Sequence, residues 1–211
     1  MVQFWYKQER RFGENNYVST IGVSSGKWYF EAQNTNSGDA YLFLGVADTA
    51  SIGYTDGYVL GGQSGTLPSI AWRGGGAYDG SAKVYSNNSA TGSSVNWETE
   101  VVGVALDLDN NKLYFHKNGT YQNSGVPTSG STGTGASSIT AASSTGLGFY
   151  LLGCGDIAGN SPQAIWEWNF GNGYFGTTAV SSAGTNASGI GIFEYDVPTG
   201  YTALSTKGLN L

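Results

Sequence analysis

The chain contains few charged residues, few prolines and almost no sulfur. Of its 211 residues, 11% are charged, four are proline, one is cysteine and one is methionine. Because Cys154 is the single cysteine, an intrachain disulfide is excluded, and so is a small disulfide-stapled scaffold. No apolar run approaches the roughly 18 residues that a membrane-spanning helix needs.

Basic residues and leader-like segments are also scarce. Nine Lys and Arg against 15 Asp and Glu give a formal net charge of −6. Nucleic-acid binding relies on clustered basic side chains that release counterions from the phosphates, so no nucleic-acid partner is expected. The first thirty residues carry several charges and no apolar run, so no secretory signal is expected either.

Helical periodicity is missing, whereas strand patterns recur. Glycine supplies 34 residues and interrupts nearly every segment, and no window repeats apolar groups at helical spacing. Residues 28–31, 41–47 and 164–170 alternate with period two, as strands do. Residues 41–47 are apolar on both faces, which is typical of a central strand. These patterns predict an all-β fold, a two-sheet antiparallel β-sandwich.

The clearest pattern is a pair of consecutive hairpins within residues 101–120. Residues 102–108 form one predicted strand, and the Asp and Asn side chains of residues 107–111 favour a turn. A calcium loop is the weaker interpretation, because the glycine and the glutamate that an EF-hand loop requires are not found at the corresponding positions. Asn118-Gly119 then closes a second hairpin, since both residues tolerate positive φ.

In their order and spacing, these motifs resemble those of a SPRY domain. The matching segments are Ser25–Glu31, Leu44–Ala47, Val102–Asp109, Lys112–Phe115, Asn118–Gly119 and Asn169–Gly171. The resemblance implies a bent sandwich related to concanavalin-type lectins (a jelly roll), whose members are not enzymes and bind partners, mostly proteins, through loops at one edge. We expect a single domain over residues 1–211, with core motifs in 17–171, a flexible loop near 121–146 and a C-terminal extension over 172–211.

The C-terminal segment Pro198–Thr206 resembles the extension of SPRY-like modules encoded in bacteriophage genomes. The low charge and the abundance of Gly, Ser, Thr and Asn are similar to those of phage virion proteins. The resemblance implies a structural or binding protein of the virion, as a capsid decoration or a tail or fibre accessory. Its expected partners are capsid or tail subunits, further copies of itself, or a host-surface protein or glycan. A cellular SPRY module that recognises peptides, and a carbohydrate-binding module, stay open as alternatives.

Residues for catalysis or metal binding are sparse. His116 is the only histidine, whereas a zinc site requires three or four clustered His, Cys or carboxylate ligands. A retaining glycosidase needs two carboxylates about 5 Å apart, and the predicted strand over residues 166–169 offers only Glu167. We therefore expect no enzymatic activity, no metal and no cofactor.

Two glycine-rich segments combine aromatic residues with turn-prone backbone, residues 53–58 and 71–78. Loops on a rigid scaffold commonly carry binding groups, and Tyr, Trp and Arg are enriched where interfaces gain most of their energy. The candidate binding residues are Tyr54, Tyr58, Trp72, Arg73 and Tyr78. The alternative is that Trp72 and Tyr78 are core residues with ordinary turns between them, since aromatic side chains also dominate protein cores.

Overall fold

The computed structural model describes residues 5–8, 15–36, 42–48, 69–74, 82–86, 89–156 and 164–210. Within these ranges the regular elements are β-strands and short 3-10 turns, which confirms the predicted all-β class. No helix in the described ranges is long and apolar enough to cross a membrane.

The chain divides into two compact units, each assembled from three separate stretches. The first unit comprises Met1–Ser24, Asn36–Glu98 and Ile139–Ala164. The second comprises Ser25–Thr35, Thr99–Ser138 and Ile165–Leu211. Within the described residues, each unit contains one seven-stranded sheet.

The sheet of the first unit is antiparallel throughout. With strands numbered along the chain, its order is Trp5–Gln8 (β1), Asn15–Val23 (β2), Tyr150–Asp156 (β12), Leu42–Ala47 (β4), Ser69–Gly74 (β5), Val84–Ser86 (β6) and Ser89–Thr91 (β7). All six residues of β4 are buried, as predicted for a central strand that is apolar on both faces.

The sheet of the second unit is mostly antiparallel. Its main path is Thr120–Tyr121 (β10), Lys112–Lys117 (β9), Val102–Asp107 (β8), Lys27–Asn34 (β3) and Trp166–Asn169 (β13). Two short strands complete it: Ser137–Ser138 (β11) pairs with β9, and Thr202–Ala203 (β16) pairs in parallel with β3. A separate hairpin in this unit joins Tyr174–Phe175 (β14) to Thr178–Ala179 (β15).

The two predicted hairpin turns are confirmed. Asn118 and Gly119 both have positive φ, 47° and 79°, and form the two-residue link between β9 and β10. At the other turn, the Asp107 carboxylate accepts a 3.0 Å hydrogen bond from the Asn110 N–H. It also forms a 2.8 Å ion pair with Lys27. Asp107 thus helps to fix this turn.

The segment predicted as a flexible loop is more structured than its composition suggested. Residues 121–146 contain β11 and three 3-10 turns, at Gln122–Ser124, Pro127–Thr132 and Ala142–Ser144. Pro127 is buried, and its carbonyl accepts a 3.0 Å hydrogen bond from the Tyr201 hydroxyl. Small polar residues bury little surface themselves, but their backbone can be anchored by larger neighbours.

The C-terminal extension folds back over the sheet of the second unit. Residues 190–205, which we call the strap, cover the face of the sheet that carries Tyr29, Ala105 and Tyr114. The buried strap residues in this cluster are Ile190, Phe193, Val197, Tyr201 and Ala203. The ring of Phe193 packs edge-to-face on that of Tyr29, with centroids 4.9 Å apart. Both faces of β9 are therefore buried.

Candidate functional site

The candidate binding residues predicted from the sequence do not form an exposed loop in the described structure. Tyr54, Tyr58 and Tyr78 lie outside the described residues, so their role stays a prediction. Trp72 and Arg73 lie within β5, and only 1% and 7% of their surfaces are exposed.

Trp72 is a core residue, which was the alternative interpretation. Its indole N–H donates a 3.2 Å hydrogen bond to the Ala82 carbonyl, and its ring packs against Trp97 with centroids 5.7 Å apart. The Arg73 guanidinium lies 3.7 Å from the centre of the Tyr85 ring, a cation–π contact. The prediction that Trp72 and Arg73 are loop residues is wrong, because β5 continues through both of them.

Exposed apolar side chains instead occur beside β13 and β14 in the second unit. Ile165, Tyr174 and Ile192 are 55%, 47% and 53% exposed. Ile192 lies beside the chain at residues 171–173: its N–H donates to the Gly171 carbonyl at 3.0 Å, and it forms a parallel bridge with Asn172. Tyr174 follows directly, and Ile165 precedes β13. We call these three side chains the β13–β14 surface.

The exposure of these three side chains is not evident from the sequence. Ile165 directly precedes β13, and alternation along this strand does not show which face is exposed, because Asn169 lies on the same face as Ile165 and is buried. Tyr174 and Ile192 lie in irregular, glycine-rich segments where no periodicity indicates which side chains face outward.

A stack of aromatic rings stiffens β13. Trp166 and Trp168 have centroids 6.1 Å apart, and Trp168 lies parallel to Phe170 at 5.4 Å, with 8° between the planes. Phe30 on β3 packs against Phe170 at 5.8 Å. Trp166 and Trp168 are half-buried, and Ile165 lies directly before this stack in the chain.

A buried carboxylate lies behind the strap. Glu31 on β3 has no exposed surface and accepts four hydrogen bonds. The donors are the Tyr29 hydroxyl at 3.0 Å, the Asn169 side-chain amide at 3.1 Å, the Glu194 N–H at 2.9 Å and the Tyr195 N–H at 2.8 Å. Two of these donors belong to the strap. We call Glu31 and its four donors the Glu31 cluster.

The only histidine extends this cluster. His116 Nε2 lies 2.6 Å from the Tyr29 hydroxyl oxygen, and its Nδ1 accepts a 3.1 Å hydrogen bond from the Gly119 N–H. Burial lowers the pKa of His116 to about 3, so the ring is neutral near pH 7. Burial raises the pKa of Glu31 to about 7, and the Glu194 and Tyr195 N–H groups oppose that rise.

The two pKa shifts predict opposite pH dependences of stability. The folded protein holds the Glu31 proton more tightly than the unfolded chain does. The stability that results is complete below about pH 4.5 and is lost as the pH rises through 7. The His116 contribution is complete above pH 6.5 and is lost as the pH falls towards 3. Between pH 6.5 and pH 4.5 these two pH dependences have opposite signs and similar size, so they nearly cancel in the wild type.

Single variants should separate the two contributions. When the pH is lowered from 8 to 4.5, the free energy of unfolding of Glu31→Gln is expected to fall by about 3 kcal/mol relative to that of the wild type. His116→Gln is expected to gain about 3 kcal/mol over the same interval. Urea titrations of all three proteins at both pH values measure the change; a shift of the same sign in both variants would contradict it.

The geometry bears on chemistry as well as on stability. In the part of the chain that the structure describes, no three His, Cys, Asp or Glu side chains are placed to hold a metal ion. Glu31 and His116 have no exposed surface, so a substrate cannot reach them in this conformation. The side chains of Ile165, Tyr174 and Ile192, in contrast, are accessible and largely apolar.

Comparison with known proteins identifies the fold. No family model and no curated protein matches the sequence. Among solved structures, the SPRY domain of human HERC1 is similar with a TM-score of 0.50 and 13% identity, over 77% of this chain and 85% of that chain. At this identity the likeness shows the fold alone, a SPRY-type β-sandwich, as the sequence predicted. The resemblance to phage modules stays a prediction.

Proposed function

We propose that the protein is a non-enzymatic binding module that contacts another protein through the β13–β14 surface. The observation that carries this proposal is the exposure of Ile165, Tyr174 and Ile192, each about half-exposed, beside a strand stiffened by stacked aromatic rings. Exposed apolar groups gain free energy when a partner covers them, at about 25 cal/mol per Å². Tyrosine is, in addition, enriched at the energetic centres of interfaces.

The chemistry of this surface indicates the character of the contact. Glu167 is the one ionisable side chain on β13, and the chain as a whole is only 11% charged. Long-range electrostatic steering needs a strong local field, so binding should depend little on salt. A largely apolar contact is suited to a durable structural association.

The more specific proposal places the protein in a bacteriophage virion. Support comes from the low charge, the abundance of glycine and small polar residues, and the phage-like segment Pro198–Thr206. The partners would then be capsid or tail subunits, further copies of this chain, or a host-surface protein or glycan. The protein would be assembled with the virion in the host cytoplasm.

A cellular peptide-recognition module is the second candidate. Support for it comes from the fold that this chain shares with the SPRY domain of human HERC1. The two candidates differ in the partner proteins that a tagged copy of this chain should capture. A stoichiometric cellular protein from uninfected host lysate favours the cellular module, whereas recovery of particle subunits alone favours the virion protein.

Surface variants test the binding proposal. Tyr174→Ser and Ile192→Ser together are expected to reduce partner association at least tenfold, because both apolar contacts are removed. The measurement is the amount of the protein retained on purified particles, or the amount of partner recovered from lysate. Stability should change by no more than about 1 kcal/mol, since both side chains are half-exposed.

Leu147→Ser is the matched control for these variants. Leu147 is 53% exposed, as Ile192 is, but belongs to the first unit. It should leave association unchanged. Equal losses in the control and in the double variant, or no loss in either, would remove the β13–β14 surface as the binding site.

A further inference from the structure

One buried side-chain amide joins two of the segments that carry the β13–β14 surface. Asn169, the last residue of β13, has no exposed surface and uses both lone pairs and both N–H groups of its amide. Its Oδ1 accepts the Gly171 N–H at 2.9 Å and the Gly173 N–H at 3.1 Å. Its Nδ2 donates to the Ile192 carbonyl at 3.0 Å and to Glu31 at 3.1 Å. This side chain therefore links the segment that leads into β14 to the backbone of the strap.

The surroundings of Asn169 fix which end of its amide is oxygen and which is nitrogen. Two N–H donors lie on one side, and two acceptors, a carbonyl and the Glu31 carboxylate, lie on the other. Turning the amide by half a revolution would place its NH₂ group against two N–H groups and its oxygen against two oxygens. Only one orientation satisfies all four contacts, so the amide is held in it.

Both backbone groups of Ile192 depend on Asn169. The Ile192 carbonyl accepts the Asn169 amide directly, and the Ile192 N–H donates to the Gly171 carbonyl at 3.0 Å. Gly171 is itself held by Asn169 through its N–H. Gly171 and Gly191 both have positive φ, and a Cβ added to either would lie within 2.8 Å of the other's Cα. The two segments are thus in direct backbone contact, and Asn169 fixes how they lie.

Gly173 carries this arrangement to the exposed side chains. Its φ is +78°, and a Cβ built on it would lie 3.3 Å from the Ile192 Cβ. The Ile192 side chain therefore packs over the backbone that directly precedes Tyr174. Since Asn169 holds that backbone at the Gly173 N–H, the position of Ile192 relative to Tyr174 is set before any partner binds.

We propose that Asn169 is the positioning residue of the β13–β14 surface, and that it presets Tyr174 and Ile192 in the arrangement that a partner protein recognises. This inference rests on the proposed function, because it concerns how the same surface binds. A preset surface loses less conformational freedom on association, and ordering one side chain weakens binding by about twofold to tenfold. Releasing both side chains should therefore weaken association by about fivefold or more.

The rest of the strap is anchored without Asn169, so a variant at this position should stay folded. The Gly184 N–H donates to the Phe193 carbonyl at 2.9 Å, and the Val197 N–H donates to the Thr185 carbonyl at 2.8 Å. The side chains of Phe193 and Val197 are also buried in the core of the second unit. Asn169→Ser should therefore loosen the junction of the two segments and leave the strap in place.

Backbone ¹⁵N relaxation of the intact protein tests the positioning without a partner. In the wild type, residues 172–174 and 192 should have order parameters of about 0.85, as rigid backbone does, and in Asn169→Ser these should fall to about 0.6 or less. Ile165 is the internal control, because its N–H donates to Asn34 Oδ1 at 3.0 Å and its carbonyl accepts the Thr35 N–H at 2.9 Å. Unchanged values at residues 172–174 and 192 in the variant, or an equal fall at Ile165, would overturn the proposal.

Hydrogen exchange in the wild type covers the case in which Asn169→Ser does not fold. The Gly171 and Gly173 N–H groups share Asn169 Oδ1 as their acceptor. Both should exchange at least about tenfold more slowly than in an unstructured peptide. Exchange of both groups at the unprotected rate would refute the positioning role.

Association assays separate this role from the proposed function. Asn169→Ser should weaken association about fivefold or more. Asn110→Ser, which removes a 2.8 Å amide hydrogen bond to Asp107 at the β8–β9 turn, should leave association unchanged. If Tyr174→Ser with Ile192→Ser lowers association and Asn169→Ser does not, the positioning role is wrong and the proposed surface stands. If that double variant has no effect, the proposed surface is wrong, and the positioning role falls with it.

Discussion

Replacing Trp97 by alanine is expected to lower the free energy of unfolding by about 3–5 kcal/mol. The Trp97 side chain is 1% exposed, and it packs against Trp72 on β5. Its indole also lies directly over Gly74, where an added Cβ would come within 2.5 Å of the ring. A close-packed site of this kind cannot collapse to fill the volume that the ring leaves, so a cavity term adds to the lost burial.

Trp168→Ala provides the comparison for this prediction. Trp168 also belongs to an aromatic stack, but it is only half-buried. Its replacement should therefore cost clearly less than that of Trp97. Equilibrium unfolding of both variants by guanidinium, followed by far-UV circular dichroism, gives the two values. A larger loss in Trp168→Ala than in Trp97→Ala would show that burial does not rank these two sites.

Gly103→Ala is the second substitution with a large expected effect. Gly103 on β8 lies opposite His116 on β9, and an added Cβ would meet His116 Nε2 at a separation far below van der Waals contact. The ring would have to move away from Tyr29, leaving buried polar groups without partners. Overpacking and unsatisfied polar groups together should cost about 3 kcal/mol or more.

A double-mutant cycle isolates this clash from other effects. His116→Ala removes the ring that the new methyl group would meet, so adding Gly103→Ala to it should cost little more. The coupling between the two substitutions should be favourable and large, about 2 kcal/mol or more. Thermal or urea unfolding of the two single variants and the double variant measures it. Simple additivity would mean that the alanine at position 103 clashes with something else.

The strands and turns were predictable where local chemistry alone decides the structure. Asn118-Gly119 forms its turn because both residues accept positive φ, and that preference belongs to the two residues themselves. β4 was identified as central because it is apolar on both faces. Such signals do not depend on which distant segment packs nearby.

The candidate site could not be predicted in the same way. Trp72 and Arg73 precede a glycine-rich segment, and nothing in their own sequence shows that β5 extends through them before that segment begins. The Glu31 cluster combines β3, β13 and the strap, and Glu31 and Tyr195 are 164 positions apart in the sequence. Period two correctly puts His116 on the opposite face from Phe115, but it cannot show that a later segment covers that face.

The parallel pairing of β16 with β3 has a consequence for biosynthesis. Thr202 pairs with Trp28, so the two partners are separated by 202 − 28 = 174 positions. Until the ribosome has added residues 190–205, Tyr29 and Tyr114 lack their covering residues. Contacts between such remote positions form slowly, and uncovered aromatic surface on a nascent chain promotes aggregation. Translation that stalls before residue 190 should therefore yield an insoluble product, whereas a chain that includes the strap can cover its own sheet.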